Sequence, residues 1–145
     1  MIPAVVRVLL ELWMLSKTEN VELWATLEKL TVNWMKVPVI GHWQALSLSL
    51  SNRVFSAIYG SQYGTTNLSI EWFMDDKLVP ASFEMDARYA FYAWQKILHV
   101  LPNPCTITDP DVFQAAFFTI DLLVQNYLRL IESLRRDSTV CNLIV

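Results

Sequence analysis

The sequence predicts an all-α chain, an α-solenoid of antiparallel helix pairs (HEAT/armadillo-like) with about five helices and one long irregular connection. Hydrophobic residues make up 54% of its 145 positions, above the usual globular range, so the chain has apolar surface enough to collapse. Apolar side chains recur at offsets of three and four over most of its length, the period of a helix face. Proline-containing stretches separate these periodic runs, as they do between packed helices.

The first helix is expected from about Pro3 to Ser16. Pro3 suits a first turn, and Val5, Val8, Leu9, Leu12, Trp13 and Leu15 give a broad apolar surface. The second follows the capping cluster Thr18-Glu19-Asn20 and continues to Lys36, with Trp24, Leu27, Leu30, Trp34 and Met35 on one stripe. Val37-Pro38 ends it, because the residue before a proline is pushed out of the helical region. The third starts at Pro38 and stops near Tyr59-Gly60, with Trp43, Leu46, Leu50, Phe55 and Ile58 on its apolar side. The alternating run Leu46 to Ser51 also admits a strand, but helical spacing extends past it on both sides.

Residues 61–83 carry Gly64, Pro80 and the pair Asp75-Asp76, and they sustain no period. This is the expected irregular connection, packed back on the core through Ile70, Trp72, Phe73 and Met74. The fourth helix begins around Asp86, presents Ala90, Phe91, Trp94, Ile97 and Leu98, and stops before Pro102-Asn103-Pro104. The fifth opens on Asp109-Pro110-Asp111, keeps its spacing from Phe113 to Leu134, and is expected to end about Arg136. Arg129, Arg135 and Arg136 would there suit the negative end of the helix dipole. Residues 1–136 thus read as one helical-repeat segment and 137–145 as a truncated C-terminal tail. Trp13, Trp34, Trp43 and Trp94 recur in similar helix contexts and, with Pro104, are the candidate structural or interaction residues.

Composition excludes several functions. Three glycines, Gly41, Gly60 and Gly64, cannot build a Gly-rich phosphate cradle. Eleven basic against fourteen acidic residues give a net charge of -3 with no clustered Lys/Arg track, so nucleic acid is not an expected partner. No run approaches the ~18 apolar residues of a membrane span. Met1 to Leu15 lack the flanks of a secretory signal. Cys105 and Cys141, 36 positions apart, follow no ligand spacing and read as free buried thiols of a cytoplasmic chain.

No reaction centre emerges from the residue types that carry chemistry. His42 and His99 lie 57 residues apart, and each reads as structural; zinc would require both with both cysteines, without any short-range spacing. Asp75, Asp76, Glu84 and Asp86 form the one acidic concentration, explained by solvation and capping rather than by an acid–base pair. No serine stands in a GxSxG elbow. The expectation is no catalytic residue, no cofactor and no metal. Eighteen aromatic rings at roughly 200 Å² each far exceed the exposed patch of an ordinary monomer, so most must be buried in this chain, and any surplus needs a neighbouring segment or partner.

A series of landmarks runs from Glu11 to Pro110: Glu11-Leu12-Trp13-Met14-Leu15, Asn33-Trp34, Pro38-Val39-Ile40 with Trp43, Tyr59-Gly60, and Glu84-Met85-Asp86 leading to Trp94. Leu98-His99-Val100-Leu101-Pro102-Asn103-Pro104 and Asp109-Pro110 complete it. In this order and spacing the chain resembles the N-terminal helical region of Ral GTPase-activating protein subunits, the beta subunit most closely. The resemblance implies a non-catalytic part of a heterodimer that stimulates GTP hydrolysis by Ral-type small GTPases. The family's hydrolytic asparagine lies in a separate C-terminal domain of the alpha subunit, so Asn33, Asn103 and Asn126 inherit no such role. The implied function is a scaffold in subunit assembly, with Ral GTPase-activating protein subunits as partners and the GTPase touched only indirectly. The alternative is an independent helical adaptor that captures another protein through an apolar face.

Overall fold

The computed structural model describes residues 2–34, 36–59, 66–74, 76–100 and 107–144. In chain order these form α1 (Ile2–Ser16), α2 (Val21–Asn33), α3 (Val37–Tyr59), β1 (Asn67–Met74), β2 (Lys77–Glu84), α4 (Ala87–Val100) and α5 (Pro110–Ile144). Gly60, Gly64, Pro104 and Cys105 lie outside the described residues.

Local chemistry sets the helix ends. Lys17 closes α1 in the left-handed region (φ 52°), its N–H donating to the Met14 carbonyl at 3.3 Å. Asn20 caps α2, its Oδ1 accepting from the Glu22 and Leu23 amides at 2.9 and 3.2 Å. Asp86 accepts from the Tyr89 amide at 3.2 Å, and Asp109 from the Asp111 amide at 2.9 Å, so both aspartates cap the helices they precede. The Leu46–Ser51 alternation is helical. Leu46 and Leu50 are buried, while Ser49 and Ser51 donate back to the carbonyls of Ala45 and Ser47 at 2.8 Å. Beyond Arg136, α5 continues to Ile144, so the three arginines sit in its body and its last turn carries no basic residue.

The expected all-α solenoid is not what forms. The fold is mostly helical, but an antiparallel β-hairpin occupies much of the stretch read as an irregular connection. Leu68, Ile70 and Trp72 alternate inward and are fully buried, while Ser69, Glu71 and Phe73 face out. That alternation was masked by the apolar Phe73 and Met74 at its end and by Pro80 in the second strand. The backbone hydrogen bond from Met85 to Thr66 fixes the ladder's parity: counting from it, Glu71 opposite Pro80 is a non-hydrogen-bonded pair. The Pro80 nitrogen therefore faces the outer edge, where a missing N–H removes no rung. Asp76 at the turn takes φ 61°, a conformation aspartate tolerates better than most residues.

The packing order also departs from stacked helix pairs. α3 is the hub: α1, α4, α5 and β1 all pack on it, while α2 packs on α4. Val6, Leu10 and Met14 of α1 share one core with Leu46 and Leu50 of α3, Leu68, Ile70 and Trp72 of β1, and Tyr89, Ala93 and Ile97 of α4. Contacts from Trp43 to Ile97 and from Ser51 to Trp94 set α4 antiparallel to α3. Those from Gln44 to Thr119 and from Asn52 to Asn126 set α5 parallel to it. The α1–α2 loop is held by α4, where Tyr89 donates to the Thr18 carbonyl at 3.0 Å, Tyr92 to Glu19 at 3.1 Å, and Arg88 pairs with Glu19 at 2.6 Å.

Candidate protein-docking faces

Two helices bury one stripe and expose another. On α1, Val6, Leu10 and Met14 enter the core, while Val5, Val8, Leu12 and Leu15 stay 42–58% exposed at intervals of three, four and three. On α5, Val112, Ala116, Thr119 and Asn126 face α3, and a second stripe about 100° around the helix points away from it. Phe113, Phe117, Ile120, Val124 and Tyr127 lie on this second stripe, all exposed, with Phe117 at 63%. The spacing is helical in each case, so periodicity alone could not tell which apolar residues find a partner within the chain.

The α5 stripe borders a groove between α3, α4 and α5, a cavity of about 320 Å³. Phe55, Tyr59, Phe91, Trp94, Leu123 and Tyr127 are among the residues that line it. Among the described residues its polar lining comes from Ser51, Asn126 and the phenols of Tyr59 and Tyr127, with no ionisable carboxylate or ammonium. Such a surface recognises shape and apolar area rather than charge.

The tryptophans read from the sequence do not converge on one site. Trp43 is buried, its indole N–H donating to the Ile97 carbonyl at 2.7 Å. Trp13 is half-buried and stacks edge-on against Trp24 at 5.6 Å, and Trp34 packs at the margin of the same core. Of the four, Trp94 alone lines the groove, its indole N–H donating to Ser51 Oγ at 3.1 Å. The residues that sequence reasoning missed as a surface are those of the α5 stripe, which it read only as part of one helical apolar period.

The groups that carry chemistry are dispersed. His42 is buried edge-on to Trp72 at 5.8 Å, whereas His99 is exposed at the end of α4. Among the described residues no group of three or more His, Cys, Asp or Glu is placed to hold a metal ion. Nor is any described helix long and apolar enough to cross a membrane. Burial pushes the Tyr89 phenol up from its ordinary value, with Tyr92 and Glu19 adding to the effect. The hydrogen bond from Arg135 holds the Glu132 carboxyl below the usual range.

Comparison with known proteins agrees with the landmark resemblance. Residues 1–61, which span α1 to α3, match the family described as the RALGAPB N-terminal domain. The chain is 30% identical over 127 residues to a Rap-GAP domain-containing protein of Dictyostelium discoideum, covering 87% of this chain and 8% of that protein. It is 27% identical over 128 residues to the human Ral GTPase-activating protein subunit beta, and 28% to the rat protein, covering 81% of this chain in each case. The chain spans about 8% of the length of these relatives. No solved structure matches.

Proposed function

We propose that this chain, similar to the N-terminal region of Ral GTPase-activating protein beta subunits, is a non-catalytic scaffold segment of such a complex in the cytoplasm. It takes part in assembling the subunits and supports GTP hydrolysis by a small GTPase only indirectly. The observation that carries this reading is the exposed apolar stripe of α1, which lies inside the matched residues 1–61. Four aliphatic side chains left in water on a helix whose other face is buried form a surface suited to another helix. Arg7 and Glu11, paired at 3.0 Å, flank the stripe and neutralise each other, which leaves apolar contact as its main character.

The reading is tested by capturing purified Ral GTPase-activating protein subunits on the immobilised chain and by following GTP hydrolysis on Ral. Binding is expected, with Leu12→Glu weakening it about tenfold or more. The chain alone should leave hydrolysis at its intrinsic rate. Robust acceleration by the chain alone would overturn the scaffold assignment, and binding only to proteins outside the complex would support an independent adaptor.

A further inference from the structure

We propose that the exposed face of α5 is a self-association surface, on which α5 of a second copy of this chain lies antiparallel about a two-fold axis. This face lies outside the matched residues 1–61, and the inference is separate from the subunit contact assigned to α1.

The occupant is identified first as a helix. Phe117, Ile120, Val124, Tyr127, Ile131 and Leu134 follow one another at intervals of three, four, three, four and three. Alternating intervals of three and four are the pattern of a coiled-coil seam, which stays in contact with a second helix over its whole length. Phe117, Ile120, Val124 and Tyr127 are exposed, and Ile131 and Leu134 half-buried.

Between Phe117 and Leu134 the spacing reads the same in both directions. Reversing the second helix therefore stacks Phe117 on Leu134 of the second copy, Ile120 on Ile131, and Val124 on Tyr127. In the first and last of these layers a large ring meets a smaller aliphatic group, the combination that fills space without crowding.

Charge points the same way. From Pro110 to Asn126, α5 carries Asp111 and Asp121, net -2; from Tyr127 to Ile144 it carries Arg129, Arg135 and Arg136 against Glu132 and Asp137, net +1. An antiparallel copy sets the acidic half against the basic half and opposes the two helix dipoles. A parallel copy would align like with like. The area is adequate: exposed apolar side chains of α5 offer roughly 600 Å² per chain, so a pair buries about 1,200 Å², the lower bound of a stable specific interface.

The test is the oligomeric state of the 145-residue chain by sedimentation across the micromolar range, with directed cross-linking. A dimer is expected, and Val124→Glu should weaken it about 100-fold with an unchanged far-UV CD spectrum, since Val124 is already 52% exposed. Leu128→Glu, on the same face and 59% exposed, is the second variant should the first misfold. In a Cys105→Ser, Cys141→Ser background, Phe117→Cys chains mixed with Leu134→Cys chains should form disulfide-linked pairs, and neither variant alone should. Cross-linking within the Phe117→Cys population, or a monomer throughout, would overturn the proposal. A monomer that still captures the family's subunits would sink this inference alone, whereas a dimer that captures none would sink the scaffold reading alone.

Discussion

Replacing Trp43 by Phe separates structural from interaction roles among the tryptophans. Ile97 lies in the last turn of α4, where helix carbonyls run short of partners. Its carbonyl is met by the Trp43 indole N–H at 2.7 Å, across from α3. Phe removes that donor and leaves a buried acceptor, which costs about 1–3 kcal/mol. The smaller ring also leaves a void of roughly 40 Å³, worth about 1 kcal/mol. The sum is about 2–4 kcal/mol, a large part of the ~5–15 kcal/mol that holds an ordinary domain. Trp94→Phe makes the control. The Ser51 hydroxyl it loses still donates to Ser47, and the site opens on the groove, so the cost is about 1 kcal/mol or less. Urea unfolding followed by far-UV CD measures both. If Trp43→Phe fell within 1 kcal/mol of the parent, or matched Trp94→Phe, the indole would not be serving as the cap of α4.

Lys17→Gly should stabilise the chain by about 0.5–1 kcal/mol, because Lys17 is exposed and holds a left-handed φ of 52° that glycine adopts freely; a lower urea midpoint would contradict this. The Tyr89 phenol is raised above its unfolded value, so its contribution is fully present below pH ~10 and is lost as pH rises beyond that, when the unfolded chain ionises first. Tyr89→Phe should flatten the fall in stability above pH ~10. At neutral pH it should cost only about 1 kcal/mol, since Trp24 Nε1 also donates to the Thr18 carbonyl at 3.0 Å; alkaline and neutral melts of the two proteins check both. Val79 stands in a hydrogen-bonded pair one residue from the tolerated Pro80, so Val79→Pro should cost about 3 kcal/mol and abolish hydrogen-exchange protection in the hairpin, an effect that equal protection in the variant would disprove.

How far the sequence disclosed this structure depended on whether a signal was local. Asn20, Asp86 and Asp109 announced three helix starts because a capping carbonyl or carboxylate acts on amides two or three residues away. The hairpin was hidden although Leu68, Ile70 and Trp72 alternate. Its second strand contains a proline, and only the pairing parity shows that this proline faces outward. The end of α5 was misplaced because a polar run after Leu134 reads equally well as a tail or as an exposed helix. The docking faces were illegible for another reason. Val5 and Val6, or Phe117 and Ala116, are adjacent apolar residues, and only the placement of α3 decides which of each pair is covered.

That placement rests on two kinds of contact, and the difference bears on the exposed stripes. α1 meets the hub through Val6, Leu10 and Met14 in a continuous apolar core, which drives association but specifies rotation weakly. α5 meets it through Ile40 against Val112 and Ala116 and then through polar groups. Thr119 lies 2.9 Å from Gln44 Oε1, and Asn126 donates to Asn52 at 2.9 Å and accepts from Arg129 at 2.8 Å. Polar pairs of this kind add little net free energy, but a misplaced one leaves a desolvated group without a partner. Turning α5 by one residue, about 100°, would bring the apolar stripe against α3 and bury more hydrophobic area. The same turn would break both the Gln44–Thr119 and the Asn52–Asn126 contacts. The polar ladder therefore opposes the rotation that burial favours, and it holds Phe117, Val124 and Tyr127 outward, where another helix can reach them.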